Sequence, residues 1–343
     1  MNIFNWIKQE LHPIKSNSTE FIYDKMDSQS DYCLPLIYKP FDADNRTHWR
    51  DRGWAFDFLY ATGAGGAGGA GGGRLLDFGP GDGWPSLIVA PYINKVIGLD
   101  ASPKRVEVCT ANARRMGITN AEFIHYDTEQ DIPFKNNNFD GILAASSVEE
   151  TNNPKEILNQ FYRVLRPGGR LRIFYDSLNK YKNGREHEFW IHPLDKKSCM
   201  IILMNRLIKK ERIDMYGLIV ALTEKDIIRL FTANKQPLRF EDITTDKLKN
   251  IRPQIIETKI CSIPHPSGKT IYKWLRDSGF DPILPTSNGA DTAGQLFDDI
   301  PETKRPSNMS EVDNLIRPLV EKAVHTETPI ESDPVITAVK PNA

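Results

Sequence analysis

Three glycines at alternate positions, Gly79, Gly81 and Gly83, follow the apolar run Leu75-Leu76-Asp77-Phe78 and precede Trp84-Pro85. Glycine has no Cβ, so the backbone of such a turn can lie directly against a ligand. Its N–H groups, with those of the helix that follows, offer donors and partial positive charge to an anionic group. A little further on, Lys95-Val96-Ile97-Gly98-Leu99-Asp100 ends in an acid. A carboxylate at a strand tip can accept from both hydroxyls of a ribose; it can equally serve the start of a helix at Ser102-Pro103. The pairing predicts a nucleotide-like cofactor. The dinucleotide fingerprint needs a glycine at position 84, where this chain has Trp84, and that argues against a nicotinamide oxidoreductase.

Other reactive side chains are scattered. Glu149 and Glu150 follow Ala144-Ala145-Ser146-Ser147-Val148 at the end of an apolar run, as a base, as substrate-orienting groups, or as an acidic helix start. His187 and His192, with Glu188 between them, are five residues apart, whereas one helix face needs an i, i+4 pair; no metal site is expected, and the histidines line a substrate cover or pack. His125, inside a strand, reads as a core histidine, and Asp176 as a substrate contact at the site mouth. The run Arg206-Leu207-Ile208-Lys209-Lys210-Glu211-Arg212 reads as a solvated helix face.

These residues need a frame. From Arg74 the chain alternates short apolar runs with helical stretches: strands at 74–78, 95–100, 121–125, 139–145 and 170–175, helices at 85–92, 103–116 and 154–165. Pro85, Pro103 and Pro154 stand where proline opens a helix, and Gly117 where glycine closes one. The rhythm predicts an α/β doubly wound, mostly parallel sheet with a cofactor core over 74–177. Upstream, residues 1–62 form a helical cap segment, whose aromatics Trp49, Trp54, Phe56, Phe58 and Tyr60 pack or cap the cofactor. Thr47 is its helix cap. The stretch 63–73 is glycine and alanine, a flexible linker of natural or engineered origin. Residues 178–268 form a substrate-cover insertion, with helices near 198–211 and 223–232. Residues 269–343 complete the sheet, with a helix at 269–278 and strands at 282–285 and 335–339. Between them lies a polar excursion at 288–333, loose over 288–310, with one helix at 311–324.

Composition narrows the partners. A formal net charge of -1 supplies no broad basic field, so a dedicated nucleic-acid binder is disfavoured. The longest apolar run, Met200–Met204, is too short to cross a bilayer. The N-terminus lacks the apolar core of a signal peptide. Four cysteines without a C-x-x-C pair read as free thiols in the cytoplasm. The oligomeric state is open.

The ordered set of motifs resembles the class I S-adenosylmethionine (SAM) methyltransferase superfamily, in its quinone-biosynthesis type. The resemblance rests on the glycine turn, Asp100, Phe123–Thr128, the loop Asp131-Ile132-Pro133-Phe134 leading to Phe139-Asp140, and Leu165-Arg166-Pro167-Gly168-Gly169. It implies a seven-stranded Rossmann-like sheet of order 3-2-1-4-5-7-6, closed by 335–339, and SAM as cofactor. By the same resemblance the cofactor contacts are Asp77, Gly79, Gly81, Gly83, Asp100, Ala101, Asp127, Thr128 and Ser146, with Asp127 against the adenine amine. Catalytic candidates are Glu149, Glu150 and His187. The Asn/Asp-Pro-Pro-Tyr sequence of amino methyltransferases and the Pro-Cys of cytosine C5 enzymes are both missing after residue 145. In-line methyl transfer to a small organic acceptor is the expectation, from the full motif set and the large insertion beyond the fifth strand of the sheet. The alternatives are a protein or RNA methyltransferase, or a SAM-binding module without catalysis.

Overall fold

The computed structural model describes residues 2–16, 21–22, 41–64, 73–127, 129–175, 177–232, 238–330 and 334–342. Thr128, Asp176 and most of the Gly/Ala stretch lie outside them. The chain divides into two compact units, residues 1–32 with 177–265 and residues 33–176 with 266–343. The segment 1–62, read as one piece, is therefore split between the two.

The first unit contains α1 (Ile3–Trp6), β1 (Ile14–Ser16), β7 (His187–Pro193), β8 (Cys199–Leu207), β9 (Arg212–Val220), α6 (Glu224–Thr232), α7 (Thr245–Asn250) and β10 (Ile255–Pro264). Its five strands run in the order β1-β10-β9-β8-β7, antiparallel except for the short β1–β10 pair. The expected helix over 198–211 is thus a strand. Cys199, Ile201 and Leu203 join one apolar cluster while Met200 and Ile202 join another. That is period-two alternation with both faces buried, which a short apolar run cannot advertise as distinct from a buried helix.

The second unit contains the predicted sheet: β2 (Arg74–Phe78), β3 (Lys95–Asp100), β4 (Ala121–His125), β5 (Phe139–Ala145), β6 (Leu165–Phe174), β11 (Ile283–Thr286) and β12 (Val335–Val339). Their order is β11-β12-β6-β5-β2-β3-β4, and only β12 runs against its neighbours. This is the order 3-2-1-4-5-7-6 read from the other edge. One face buries Leu75, Val96 and Leu143, the other Leu76, Ile97 and Ile142. The helices of this unit are α2 (Arg46–Thr62), α3 (Ser86–Val89), α4 (Pro103–Arg115), α5 (Pro154–Val164), α8 (Gly268–Asp277), α9 (Gly289–Asp299) and α10 (Met309–Ala323).

Asn45, not Thr47, caps α2, its side chain accepting from the Thr47 N–H. Trp49, Phe56 and Phe58 are buried in one cluster with Ala290, Ala293 and Phe297 of α9 and Val312, Ile316 and Val320 of α10. The aromatics pack. The loose excursion over 288–310 is corrected here: α9 is a capped, packed helix. Its contact stripe is small rather than apolar. A Cβ on Gly53 would lie 2.4 Å from the Gly289 carbonyl oxygen and 2.8 Å from the Ala293 Cβ. Two helices that meet this closely need glycine and alanine, which carry little hydrophobic signal.

A buried ion pair fastens this layer to the sheet. Arg172 of β6 donates to both carboxylate oxygens of Asp57 of α2, at 2.8 and 2.7 Å, with both side chains 0% exposed. Arg172 also donates to Thr286 and Thr337, and Asp57 accepts the Gly289 N–H at 2.8 Å. Two β strands besides β6 and the start of α9 are thereby held by one fully partnered pair, the condition under which a buried charge is tolerated. No helix among the described residues is long and apolar enough to cross a membrane.

Candidate cofactor site

In the sheet of the second unit the chain leaves β2 toward β3 and β4 on one side, then returns to β5 and β6 on the other. Ligands of open α/β sheets bind beyond the carboxyl ends of strands at such a switch point. The glycine turn stands there. Each of its glycines has a left-handed φ, +73° at Gly79, +58° at Gly81 and +109° at Gly83. The reasons differ. A Cβ on Gly79 would sit 2.5 Å from the Ser147 Cβ, and one on Gly83 2.4 Å from the Leu87 side chain. Gly81 meets no described atom within 4 Å. The place a Cβ would take there is open among the described residues.

The turn is tied to β3. Gly79 donates its N–H to the Leu99 carbonyl at 2.8 Å, and Gly81 donates to Asp100 Oδ2 at 3.2 Å. Asp100 Oδ1 accepts from the Ser102 N–H at 2.9 Å, while Ser102 itself caps α4 through the Arg105 N–H. Asp100 therefore serves the helix start and also stands at the turn. Two residues that the sequence reading passed over clamp the turn from α4. The Cys109 thiol donates to the Gly81 carbonyl at 3.1 Å, and the Asn112 amide to the Asp82 carbonyl at 2.8 Å. Both are buried. Their spacing of three places them on one face of α4, the one signal that would have found them. Trp84, in the place of the missing glycine, packs edge-on against Trp54 and Phe58.

Asp77 is 0% exposed. Its Oδ2 accepts both the Ser86 N–H at 3.0 Å and the Ser86 hydroxyl at 2.6 Å, so it bridges the base of the loop. Its Oδ1 is buried and has no hydrogen-bond partner among the described residues. Burial pushes its carboxyl up to about 7, against the pull of the Ser86 donors, and Asp100 adds to the rise. Burial also raises Asp82, opposed by the Trp84 N–H and Arg105.

The other expected contacts ring the same strand ends. His125 pairs in register with Asp100, and its Nε2 lies 3.0 Å from the Ala101 carbonyl oxygen. It is exposed at the last position of β4, and the core reading is corrected: β4 is the edge strand of its sheet, and none of its residues is fully buried. Asp127, two residues beyond, is exposed and accepts from the Glu129 N–H and the Gln130 amide. Ser146, just past β5, has φ +51° and donates its N–H to the Phe174 carbonyl at 2.7 Å. A non-glycine residue held there is strained, and such strain gathers at functional sites. Glu149, 2% exposed, and half-buried Glu150 follow in a single turn, Val148–Glu150. His187 belongs to the other unit, on β7, with its ring against Phe4 and Phe240. The described residues contain no group of three or more His, Cys, Asp or Glu able to hold a metal ion.

Residues 76–173 match the methyltransferase domain family. The chain carries a methyltransferase domain over these residues. It is 32% identical over 100 residues to an uncharacterized methyltransferase, YcgJ, of Bacillus subtilis, covering 29% of this chain and 39% of that protein. It is 32% identical over 123 residues to a sterol 4-C-methyltransferase of Caenorhabditis elegans, covering 35% and 36%. With the ubiquinone/menaquinone biosynthesis C-methyltransferase of Wigglesworthia glossinidia it shares 26% over 181 residues, covering 43% and 72%. The chain spans under two-fifths of the first two of these relatives. A SAM-dependent methyltransferase from Clostridium acetobutylicum aligns with a TM-score of 0.48 at 12% identity, over 94% of this chain and 97% of that one.

The site of this methyltransferase domain fits SAM. The open backbone at Gly81 is a cradle that a Cβ would fill, and the carboxylate one strand over is within hydrogen-bond reach of it.

Proposed function

We propose that this protein transfers the methyl group of SAM to a small organic acceptor by in-line displacement. The observation that carries the reading is Gly81, whose Cβ position is open among the described residues while its N–H is hydrogen-bonded to Asp100. In this reading the turn from Gly79 to Gly83 holds the methionyl end, Asp100 accepts from the ribose, Ala101 and Asp127 flank the adenine, and Ser146 borders the transferring methyl. SAM, when bound, supplies a methyl carbon already activated by its sulfonium, so the protein's task is to position the acceptor and exclude water.

Ser147, packed beside Gly79, holds the end of β5 against the turn. Half-buried Glu150 is the group we assign to take up an acceptor proton, with enclosed Glu149 orienting the turn that carries it. A small acceptor is supported by relatives whose names place them on quinones and a sterol, and by a net charge that gives no counterion-release drive toward RNA. Incubation with SAM and fractionated metabolite pools should yield S-adenosylhomocysteine. No product with any pool, alongside measurable SAM binding, would leave the domain a binding module.

A further inference from the structure

Three carboxyl groups crowd the glycine turn from three segments: Asp77 from β2, Asp82 from the turn and Asp100 from β3. The thiol of Cys109, on α4, lies within the field of all three. The nearby cation is Arg105 of α4, which acts on Asp82 and Cys109. From α3 the contact to Asp77 is Ser86, an uncharged donor. Asp77 is thus the one carboxyl of the three with a wholly enclosed side chain and an oxygen lacking a hydrogen-bond partner among the described residues. A carboxyl so placed favours its protonated form until positive charge arrives nearby.

We propose that Asp77 is partly protonated in the free protein near neutral pH and gives up that proton to solvent when the cationic methyl donor binds, so that the site holds the donor in preference to its spent, less cationic product. The inference rests on the SAM-binding reading above. SAM bears a sulfonium and an ammonium, whereas S-adenosylhomocysteine has lost the sulfonium charge. Binding either compound places positive charge over a turn whose base Asp77 closes, and the donor places more. The position of Asp77 near about 7 in the free protein puts this exchange within the physiological range, where a small field moves the proton.

The test is calorimetric titration of the full chain with SAM at about pH 7 in two buffers of different ionisation enthalpy, and dissociation constants from about pH 6 to about pH 8. Wild type minus Asp77→Asn is the quantity read, since the ligand's own titration cancels. Release of a proton by wild type and not by Asp77→Asn is expected, with wild-type affinity for SAM rising by up to about tenfold across that range. S-adenosylhomocysteine should show a shallower rise. Should Asp77→Asn not fold, Ser86→Ala, which removes one donor to the carboxyl, should shift the rise to higher pH. Buffer-independent heats would overturn the inference, as would equal slopes for donor and product. Absence of any SAM binding at any pH would instead overturn the cofactor reading itself.

Discussion

Substituting Gly81→Ala separates what the turn needs for folding from what it needs for its ligand. Gly81 has φ +58°, and a Cβ there meets no described atom within 4 Å. The folded protein therefore bears only the left-handed penalty of an L-residue, roughly 1–2 kcal/mol, which for a chain of this size lowers the melting temperature by roughly 1–3 °C. The new methyl stands in the space we assign to the cofactor, so SAM affinity should fall by at least about tenfold, or about 1.4 kcal/mol. Gly117→Ala is the matched control. Its φ is +68°, its Cβ is equally free, and it sits past the end of α4, two residues beyond Arg115. Differential scanning calorimetry should find the two variants similarly destabilised, and titration calorimetry should find only Gly81→Ala impaired in SAM binding. Wild-type affinity in Gly81→Ala, or equal loss in both variants, would refute the assignment of that space.

Asp100→Ala should weaken SAM binding by roughly 1.5–3 kcal/mol, the worth of hydrogen bonds to a charged group; equilibrium dialysis giving unchanged affinity would remove Asp100 from the site. Asp57→Ala leaves Arg172 charged, enclosed and short of its carboxylate, so urea unfolding should show a loss of about 3–5 kcal/mol, and a loss below about 1 kcal/mol would show that the pair does not fasten α2. Asp77 is raised above the 3.8 of a free aspartate to about 7 by burial. Between those values the folded protein keeps a proton that the unfolded chain has lost, so this group's contribution to stability falls as pH rises, by no more than about 4 kcal/mol in total. Unfolding free energies from about pH 5 to about pH 8 should fall less steeply in Asp77→Asn than in wild type, and identical slopes would place the carboxyl's titration elsewhere. Gly79→Ala should cost more stability than Gly81→Ala, because its Cβ would lie 2.5 Å from that of Ser147; equal melting temperatures would contradict the packing.

How much of this was legible in the sequence depended on where the constraint resides. The glycine turn, the acid ending β3 and the buried parallel strands each write their requirement into a few consecutive residues, and the observed sheet order and β2, β3, β4, β5 and β12 match the reading residue by residue. Features set by contacts between distant segments left weaker marks. The helix α9 buries glycine and alanine against Gly53, and a stripe of small residues in a polar segment reads as a loop until its partner is known. The hairpin from β8 to β9 turns through Ile208-Lys209-Lys210 with Glu211 at φ +49°, in place of the Asn-Gly or Asp-Gly pair that would have announced it. Without that punctuation the apolar run before it defaults to a helix.

The site divides along the same line. Gly81 and Asp100 were readable because backbone conformation and strand ends demand particular residue types. Cys109 and Asn112, which hold the carbonyls of Gly81 and Asp82 from beneath, were not, because a small thiol and an amide on the inner face of α4 satisfy ordinary packing equally well. Their role follows from geometry alone: Cys109 with Asp100 fixes both the C=O and the N–H of Gly81, and Asn112 fixes the C=O of Asp82. A turn restrained on both of its polar groups yet open at its Cβ has its orientation set before a ligand arrives, and such preorganisation lowers the entropic cost of binding.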